Sequence, residues 1–239
     1  MLSKKEIKDI QSLDQKKFRS ALQLFVAEGP KIISEFLKII PERIEKIYAV
    51  ELWAAAHGHL KKSTTIVAED ELQKISHTKT PNQVLAVVKQ WPLAEPVLND
   101  AFCLYLDAIQ DPGNLGTIIR IADWFGIKQV VCSNGCADVY SPKVVQATMA
   151  SLARVSVYYD EDLSWIKKQT LPVYAATLSG SATFSKTHAG ILLIGNESKG
   201  IRPELLARAT EEITIPRRGE AESLNAAVAT GILLSHLLS

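Results

Sequence analysis

Cysteine is scarce in this chain. Cys103, Cys132 and Cys136 are the only three in 239 residues. None forms a Cys-x-x-Cys pair, and Cys132-x-x-x-Cys136 has no second pair near it, which argues against a zinc site or a disulfide framework. Reduced, buried thiols of a cytoplasmic protein are expected instead. Long apolar runs are missing too. No stretch reaches the ~20 residues that a membrane-spanning helix needs. The opening MLSKKEIKDI has charges where a secretory signal has an apolar core, so no signal peptide is expected. Net charge is only +1, too small to mark a generic polyanion binder. The two familiar glycine loops are also absent. Asp111-Pro112-Gly113-Asn114-Leu115-Gly116 lacks the GxGxxG spacing, and no GxxxxGK[ST] occurs. Ordinary Rossmann cofactor binding and nucleotide hydrolysis are therefore disfavoured.

What the chain does have is one form repeated three times: an apolar strand, a polar loop with glycine or proline, then a helix. The first is LDAIQDPGNLGTIIRIADWFGI (106–127). The second is ILLIGNESKGI (191–201), where Gly195 to Gly200 breaks a continuous apolar run. The third is EITIPRRGEAESLNAAVATGILLSHLLS (212–239). Here Ile213-Thr214-Ile215 reads as a short strand ended by Pro216, and Glu222-Ser223-Leu224-Asn225 opens a helix. That helix is apolar on every side, so it is expected to be buried on every side, under the sheet, in a subunit interface, or in both. At roughly 15 residues it is short for a bilayer. Loops at strand ends beside a helix start are where an α/β protein places a ligand.

In this order near the C-terminus, the three stretches resemble the motifs of the SpoU/TrmH family of RNA ribose 2′-O-methyltransferases, which have the SPOUT fold. The first matches at Asn114, Gly116, Arg120, Ala122, Phe125 and Gly126. The second matches at Gly195-Asn196-Glu197 with Gly200, and the third at Ile215-Pro216, Glu222-Ser223-Leu224-Asn225, Ala229 and Gly231. The resemblance implies a parallel sheet with a deep trefoil knot, S-adenosylmethionine as cofactor and a homodimer. Its substrate would be structured RNA, ribosomal or transfer RNA, with ribosomal RNA favoured.

Methyl transfer to a ribose hydroxyl needs alignment and help for an oxygen that must lose its proton. The resemblance puts Arg120 in that role. An arginine is effectively always protonated, which favours electrostatic stabilisation of the oxygen, or a clamp on the adjacent phosphate, over action as a base. A plain salt bridge to Asp123 at i+3 is the alternative. Asn114 could be a helix N-cap, a site-orienting group, or both. Glu197 could hold Arg120 or Asn225, or be a solvated loop charge. Ser223 and Asn225 could cap the last helix or line the ribose side of the pocket. Thr177, Gly195, Asn196, Gly200, Ile215 and Leu224 are carried over as cofactor-binding positions, with the adenosine resting on backbone groups. No metal is expected. Lys143, Arg154, Arg217 and Arg218 are candidate phosphate contacts or solvated charges.

Three positions depart from the family pattern. Ser198 follows the glutamate where glycine is common. Gln146 stands where a basic residue is frequent, which removes a possible phosphate contact. Ala150-Ser151 replaces the frequent Gly-Ala.

The rest of the chain alternates strands and helices, which implies an α/β fold with a mainly parallel sheet in the C-terminal part. Residues 90–96, with two prolines, read as a linker between a substrate-binding domain at 1–92 and a methyltransferase domain at 93–239. In the first domain a capping box is expected at Ser3-x-x-Glu6. Helices are expected from Gly29-Pro30, at 51–61 and at 70–75, and strands at 44–50, 64–67 and 84–88. FVAEGPKIISEFL (25–37) resembles the start of the small domain, akin to RNA-binding ribosomal proteins, that precedes the catalytic domain in many family members. Basic residues lead before residue 96 and acidic ones after it. Lys4, Lys5, Lys8, Lys16, Lys17 and Arg19 form either an RNA-facing patch or a solvated face. In the second domain a helix is expected from Ser141-Pro142 through Leu152. Two other functions compete: a non-catalytic RNA-binding or ribosome-assembly factor that keeps the fold, and a base methyltransferase. The joint presence of Asn114, Arg120, Glu197, Ser223 and Asn225 argues against the first. Arg120 and the Ser-Leu-Asn signature favour ribose over base.

Overall fold

The computed structural model of the chain describes residues 1–58, 64–78 and 80–238. By contact the chain divides into two units: Met1–Pro92 with Asp138–Ala153, and Leu93–Ala137 with Arg154–Ser239.

The first unit holds a four-stranded sheet. β1 (Leu24–Glu28) and β2 (Ile44–Ala49) flank β4 (Val84–Lys89), both antiparallel to it, and β3 (Thr64–Ile66) adds parallel to β2. α1 (Lys4–Ser12) opens on the capping box: Glu6 N donates to Ser3 Oγ at 3.2 Å and Ser3 N to the Glu6 carboxylate at 3.0 Å. α2 (Lys16–Leu22) follows. α3 (Pro30–Ile39) has its proline in the first turn and buries Ile32, Ile33 and Phe36. α4 (Glu51–Ala56) is shorter than the helix expected to Lys61, whose last three residues lie outside the described ones, and α5 (Glu69–Ile75) matches its expected place. Arg19 does not belong to the exposed basic cluster. Only 3% exposed, it donates to the carbonyls of Leu13 and Asp14 and pairs with Asp138, because a buried guanidinium needs every partner it can reach.

The second unit holds a wholly parallel six-stranded sheet, ordered β10-β8-β9-β5-β6-β7. In chain order its elements are β5 (Phe102–Leu106), α6 (Pro112–Trp124) and β6 (Gln129–Ser133). After α7 (Pro142–Thr148), which belongs to the first unit, come β7 (Ser156–Asp160), α8 (Ser164–Lys168), β8 (Val173–Ser181) and β9 (Gly190–Ile194). α9 (Pro203–Leu206), β10 (Glu211–Ile213) and α10 (Ala226–Leu238) close the chain. The central strands FCLYL and GILLI are buried throughout, as strands covered on both faces must be. Among the described residues no helix is long and apolar enough to cross a membrane.

Several boundaries differ from the sequence reading. The segment 138–153 packs with the first unit, where α7 lies on β1. Its helix stops at Thr148 instead of Leu152, because Met149 and Ala150 both take positive φ (49° and 75°), and a 3-10 turn follows at Ser151–Ala153. Ala150 is thus left-handed where the family often has glycine. β10 ends at Ile213, two residues before the expected end. Its register against β8 breaks between Glu212 and Ile213; Thr214 N still donates to the Ser181 carbonyl at 2.9 Å, and Ile215 is loop. α10 is not covered all round. Ala226, Ala227, Thr230, Leu233, Leu234 and Leu237 are buried, and Gly231 lets it approach Ile121 on α6, but Val228 is 51% exposed and Ser235 and His236 are exposed. Its apolar residues exceed what one chain can cover. Cys103 and Cys132 are buried, but Cys136 is only half-buried, its Sγ donating to the Leu106 carbonyl at 3.3 Å. Burial pushes the Cys103 thiol up.

The sheet edge is fixed by one buried carboxylate. Asp160 is 1% exposed and accepts from Tyr105 Oη at 3.0 Å, Trp165 N at 3.0 Å and Ile166 N at 3.1 Å. Asp160→Ala strands three donors, so it should cost about 3 kcal/mol and lower the melting temperature by roughly 6–12 °C, read by a thermal scan. A second outcome concerns acid. The Lys46 ammonium, then the Ser3 amide and hydroxyl, hold the Glu6 carboxyl down at about 2 against an ordinary 4.5. A depressed folded pKa gives stability that is full above the unfolded value and is lost as pH falls through the folded one. The stability gap between wild type and Lys46→Met should therefore be open near neutrality and shrink between pH 4.5 and 2, measured by urea melts across that window.

Candidate functional site

The site of the second unit forms at the C-terminal ends of β5, β9 and β10, where an open parallel sheet presents its loops. The loop after β5 ends at Asp111, whose Oδ1 accepts from Asn114 N at 2.8 Å and so caps α6. The helix starts three residues earlier than expected, with Pro112 in its first turn, and Asn114 is not its cap. That leaves the Asn114 side chain free to reach out of the helix.

Asn114 joins all three loops. Its Nδ2 donates to Glu197 Oε1, and its Oδ1 accepts from Asn225 Nδ2 at 2.7 Å. Asn225 Oδ1 in turn accepts from Ala227 N at 3.0 Å and Val228 N at 3.2 Å, which makes Asn225 the cap of α10. The carboxylate sets the direction of this chain. An ionised Glu197 can only accept, so Asn114 must turn its NH2 towards it and its oxygen towards Asn225. Glu197 thus reaches Asn225 only through Asn114, and it holds no contact with Arg120. Arg120 is exposed and makes no hydrogen bond or ion pair among the described residues. Asp123, the alternative partner at i+3, is 2.8 Å from Arg154 Nε instead, so Arg154 is also less available to a phosphate.

The loop after β9 is tightly closed. Asn196 and Gly200 exchange backbone hydrogen bonds at 3.0 and 2.8 Å. Asn196 Oδ1 accepts from Ser198 N and Lys199 N, and its Nδ2 donates to the Ala108 carbonyl at 2.9 Å. Asn196 therefore shapes the loop and ties it to the loop after β5. Gly200 has φ +68°, and a Cβ on Gly195 would lie 2.4 Å from the Gly200 carbonyl carbon. Glycine is required at both. Ser198, at the position where glycine is common, is exposed and needs no special backbone angle.

These loops enclose a cavity of about 690 Å³. Thr177, Gly195, Asn196, Gly200, Ile215 and Leu224 all line it, as do Glu197 and Ser223. Arg217 and Arg218 line it too. Its walls are mainly apolar, from Ile194, Ile201, Ile213 and Leu233. Between Ile215 and Asn225 no backbone N–H donates a hydrogen bond among the described residues, so this rim offers free donors. Thr177 Oγ1 donates to Glu212 at 3.0 Å, and Ser223 is exposed. Apolar walls with a few backbone donors and the carboxylates of Glu197 and Glu222 suit a heterocycle joined to a cationic group.

One functional pair was not singled out from the sequence. Asp107, 1% exposed at the end of β5, accepts from Ser133 Oγ at 2.9 Å, from Arg202 N at 2.8 Å and from Arg202 Nε at 2.8 Å. It clamps the segment after Gly200 to the central strand, and the ion pair raises the Arg202 pKa further. The available signal was a lone charge closing the apolar run FCLYL.

Residues 101–235 match the SpoU rRNA Methylase family, and residues 4–86 match the MRM3-like substrate binding domain. The chain is 31% identical to the 23S rRNA (guanosine(2553)-2′-O)-methyltransferase RlmP of Bacillus subtilis, over 97% of this chain and 95% of that protein. A TrmH-family protein from Porphyromonas gingivalis superposes with a TM-score of 0.85 at 38% identity, covering 100% of this chain and 98% of that one. The AdoMet-bound rRNA methyltransferase from Sinorhizobium meliloti gives a TM-score of 0.85 at 34% identity, covering 100% and 97%.

Gly195→Ala tests the closeness of the loops. The added methyl has no room beside the Gly200 backbone, so the variant should lose roughly 1–3 kcal/mol, seen as a lower denaturant midpoint at unchanged slope.

Proposed function

The chain belongs to the SpoU rRNA methylase family, and we propose that it transfers a methyl group from S-adenosylmethionine to a ribose 2′-hydroxyl of ribosomal RNA. The observation that carries this reading is the hydrogen-bonded chain Glu197–Asn114–Asn225, set against a mainly apolar cavity with free backbone donors. Relatives named as 23S rRNA 2′-O-methyltransferases point to the large-subunit RNA.

S-adenosylmethionine, when bound, supplies a methyl group on a sulfonium that is already a good leaving group. The chain's own part is placement and charge. Ile215, Leu224 and the free amides of residues 217–225 hold the adenosine, and Thr177, Gly195, Asn196 and Gly200 shape its seat. Arg120, which has no partner among the described residues, stabilises negative charge growing on the ribose oxygen or grips the neighbouring phosphate. Its proton stays on it, so the hydroxyl proton leaves to another acceptor. Asn114 and Asn225 hold the mouths of α6 and α10 together, and Ser223 would line the ribose side.

Residues 1–92 gather the RNA and residues 93–239 perform the transfer. A trefoil knot in the second part, a homodimer through the C-terminal domain and a cytoplasmic location belong to the same reading. The exposed Val228 on an otherwise apolar α10 supports the homodimer.

The test is methyl transfer with labelled cofactor, using unmodified ribosomal and transfer RNA separately. Wild type should label ribosomal RNA at an alkali-resistant linkage. Arg120→Ala should lower kcat about 100- to 1,000-fold with cofactor affinity kept. Label in transfer RNA alone would overturn the substrate, and no cofactor binding would overturn the enzyme. Asn114→Ala should weaken cofactor binding and turnover together, because it uncouples both neighbouring loops; an unchanged kcat/KM would remove it from the machinery.

A further inference from the structure

A second cavity lies wholly within the first unit, far smaller than the first at about 270 Å³. It is walled by Val26 and Glu28 of β1, by His77 in the loop after α5, and by Pro142, Gln146 and Ala147 of α7. The volume is just below the roughly 300–1,000 Å³ of drug-sized pockets, so it suits one flat ring system rather than an extended ligand.

The chemistry of the wall narrows the occupant. Glu28 is 6% exposed, and its oxygens are engaged by Ser76 Oγ at 2.5 Å and His77 N at 2.8 Å. A buried carboxylate in the wall repels a phosphate. His77 has a side chain only 9% exposed. Its Nδ1 faces Asp14 at 3.7 Å, and its Nε2 has no hydrogen-bond partner among the described residues. Gln146 is exposed, and no hydrogen bond engages its amide among the described residues. It offers both a donor and an acceptor, the pattern that pairs with the edge of a base. Val26, Pro142 and Ala147 supply apolar contact for a ring face.

We propose that this cavity holds one unpaired nucleobase of the substrate RNA, with Gln146 reading its edge and the His77 ring forming part of the wall. The proposal rests on the reading of the chain as an RNA methyltransferase. RNA sequence is mostly recognised through bases splayed out of loops and bulges, which such a pocket accepts. It also gives the departure at Gln146 a purpose: a phosphate-type cation is exchanged for an amide that discriminates among bases.

Salt dependence separates a base contact from a phosphate contact, since only the second releases counterions. The experiment is filter binding of the full chain to an unmodified large-subunit ribosomal RNA transcript over a salt series, with cofactor affinity measured by calorimetry on each variant. Gln146→Ala and the cavity-filling Ala147→Phe should weaken RNA binding about tenfold at every salt concentration, with the log–log slope and cofactor affinity unchanged. Lys143→Ala is the comparator and should lower the slope by about 0.7–0.9. Equal binding by wild type and Gln146→Ala overturns the pocket and leaves the substrate reading standing. A slope change in Gln146→Ala makes it a phosphate contact and also overturns the pocket. Wild-type cofactor binding without RNA binding overturns both readings. Gln146 is exposed, so its truncation does not depend on repacking, and it decides the matter if Ala147→Phe fails to fold.

Discussion

The site depends on one carboxylate that can only accept. Glu197 fixes the orientation of the Asn114 amide, Asn114 fixes Asn225, and Asn225 spends its remaining oxygen on the first turn of α10. Residues 83 and 111 positions away from Asn114 are thereby set by a single side chain. A network of this kind is stable only when complete, because each member left unpaired costs more than a bond is worth. Asp107 does comparable work beneath it, pinning Arg202 to the end of β5. The two anchors act on either side of the Gly195–Gly200 turn, which explains why that turn is rigid enough to wall a cavity.

The sheet makes this arrangement possible. β5 lies between β9 and β6, so the loops after β5 and β9 are neighbours although nearly ninety residues separate them. Both strands are buried along their whole length and leave the chemistry to their ends. The charged and amide groups therefore gather where burial stops, on the loops, with the rigid strands behind them.

Much of this was legible in the residues. Gly195 to Gly200 announced a break after the apolar run, where Gly200 takes a positive φ and Gly195 meets the Gly200 backbone, and the three motif stretches come together through Asn114. The α/β alternation was legible from apolar runs separated by glycine and proline. What failed were matters of partnership. Of the two roles left open for Asn114, the cap falls to Asp111, and Pro112 begins the helix. The alternative partner weighed for Arg120, Asp123, is taken by Arg154. Arg19 looked like one of a basic cluster, and its partner Asp138 lies 119 residues away. Ile215 looked like strand, but the register break at Ile213 releases it. Each error comes from a tertiary contact that local pattern does not contain.

The polarity of the amide chain has an evolutionary consequence. Asparagine at 114 and at 225 cannot drift to aspartate one at a time. An aspartate at 114 would set a second carboxylate against Glu197, and one at 225 would face the oxygen of Asn114 with no proton to share. The three positions therefore form a single inherited word, replaceable as a whole and hardly letter by letter. A lineage that abandoned the chemistry would be recognised by the joint erosion of all three rather than by the loss of one.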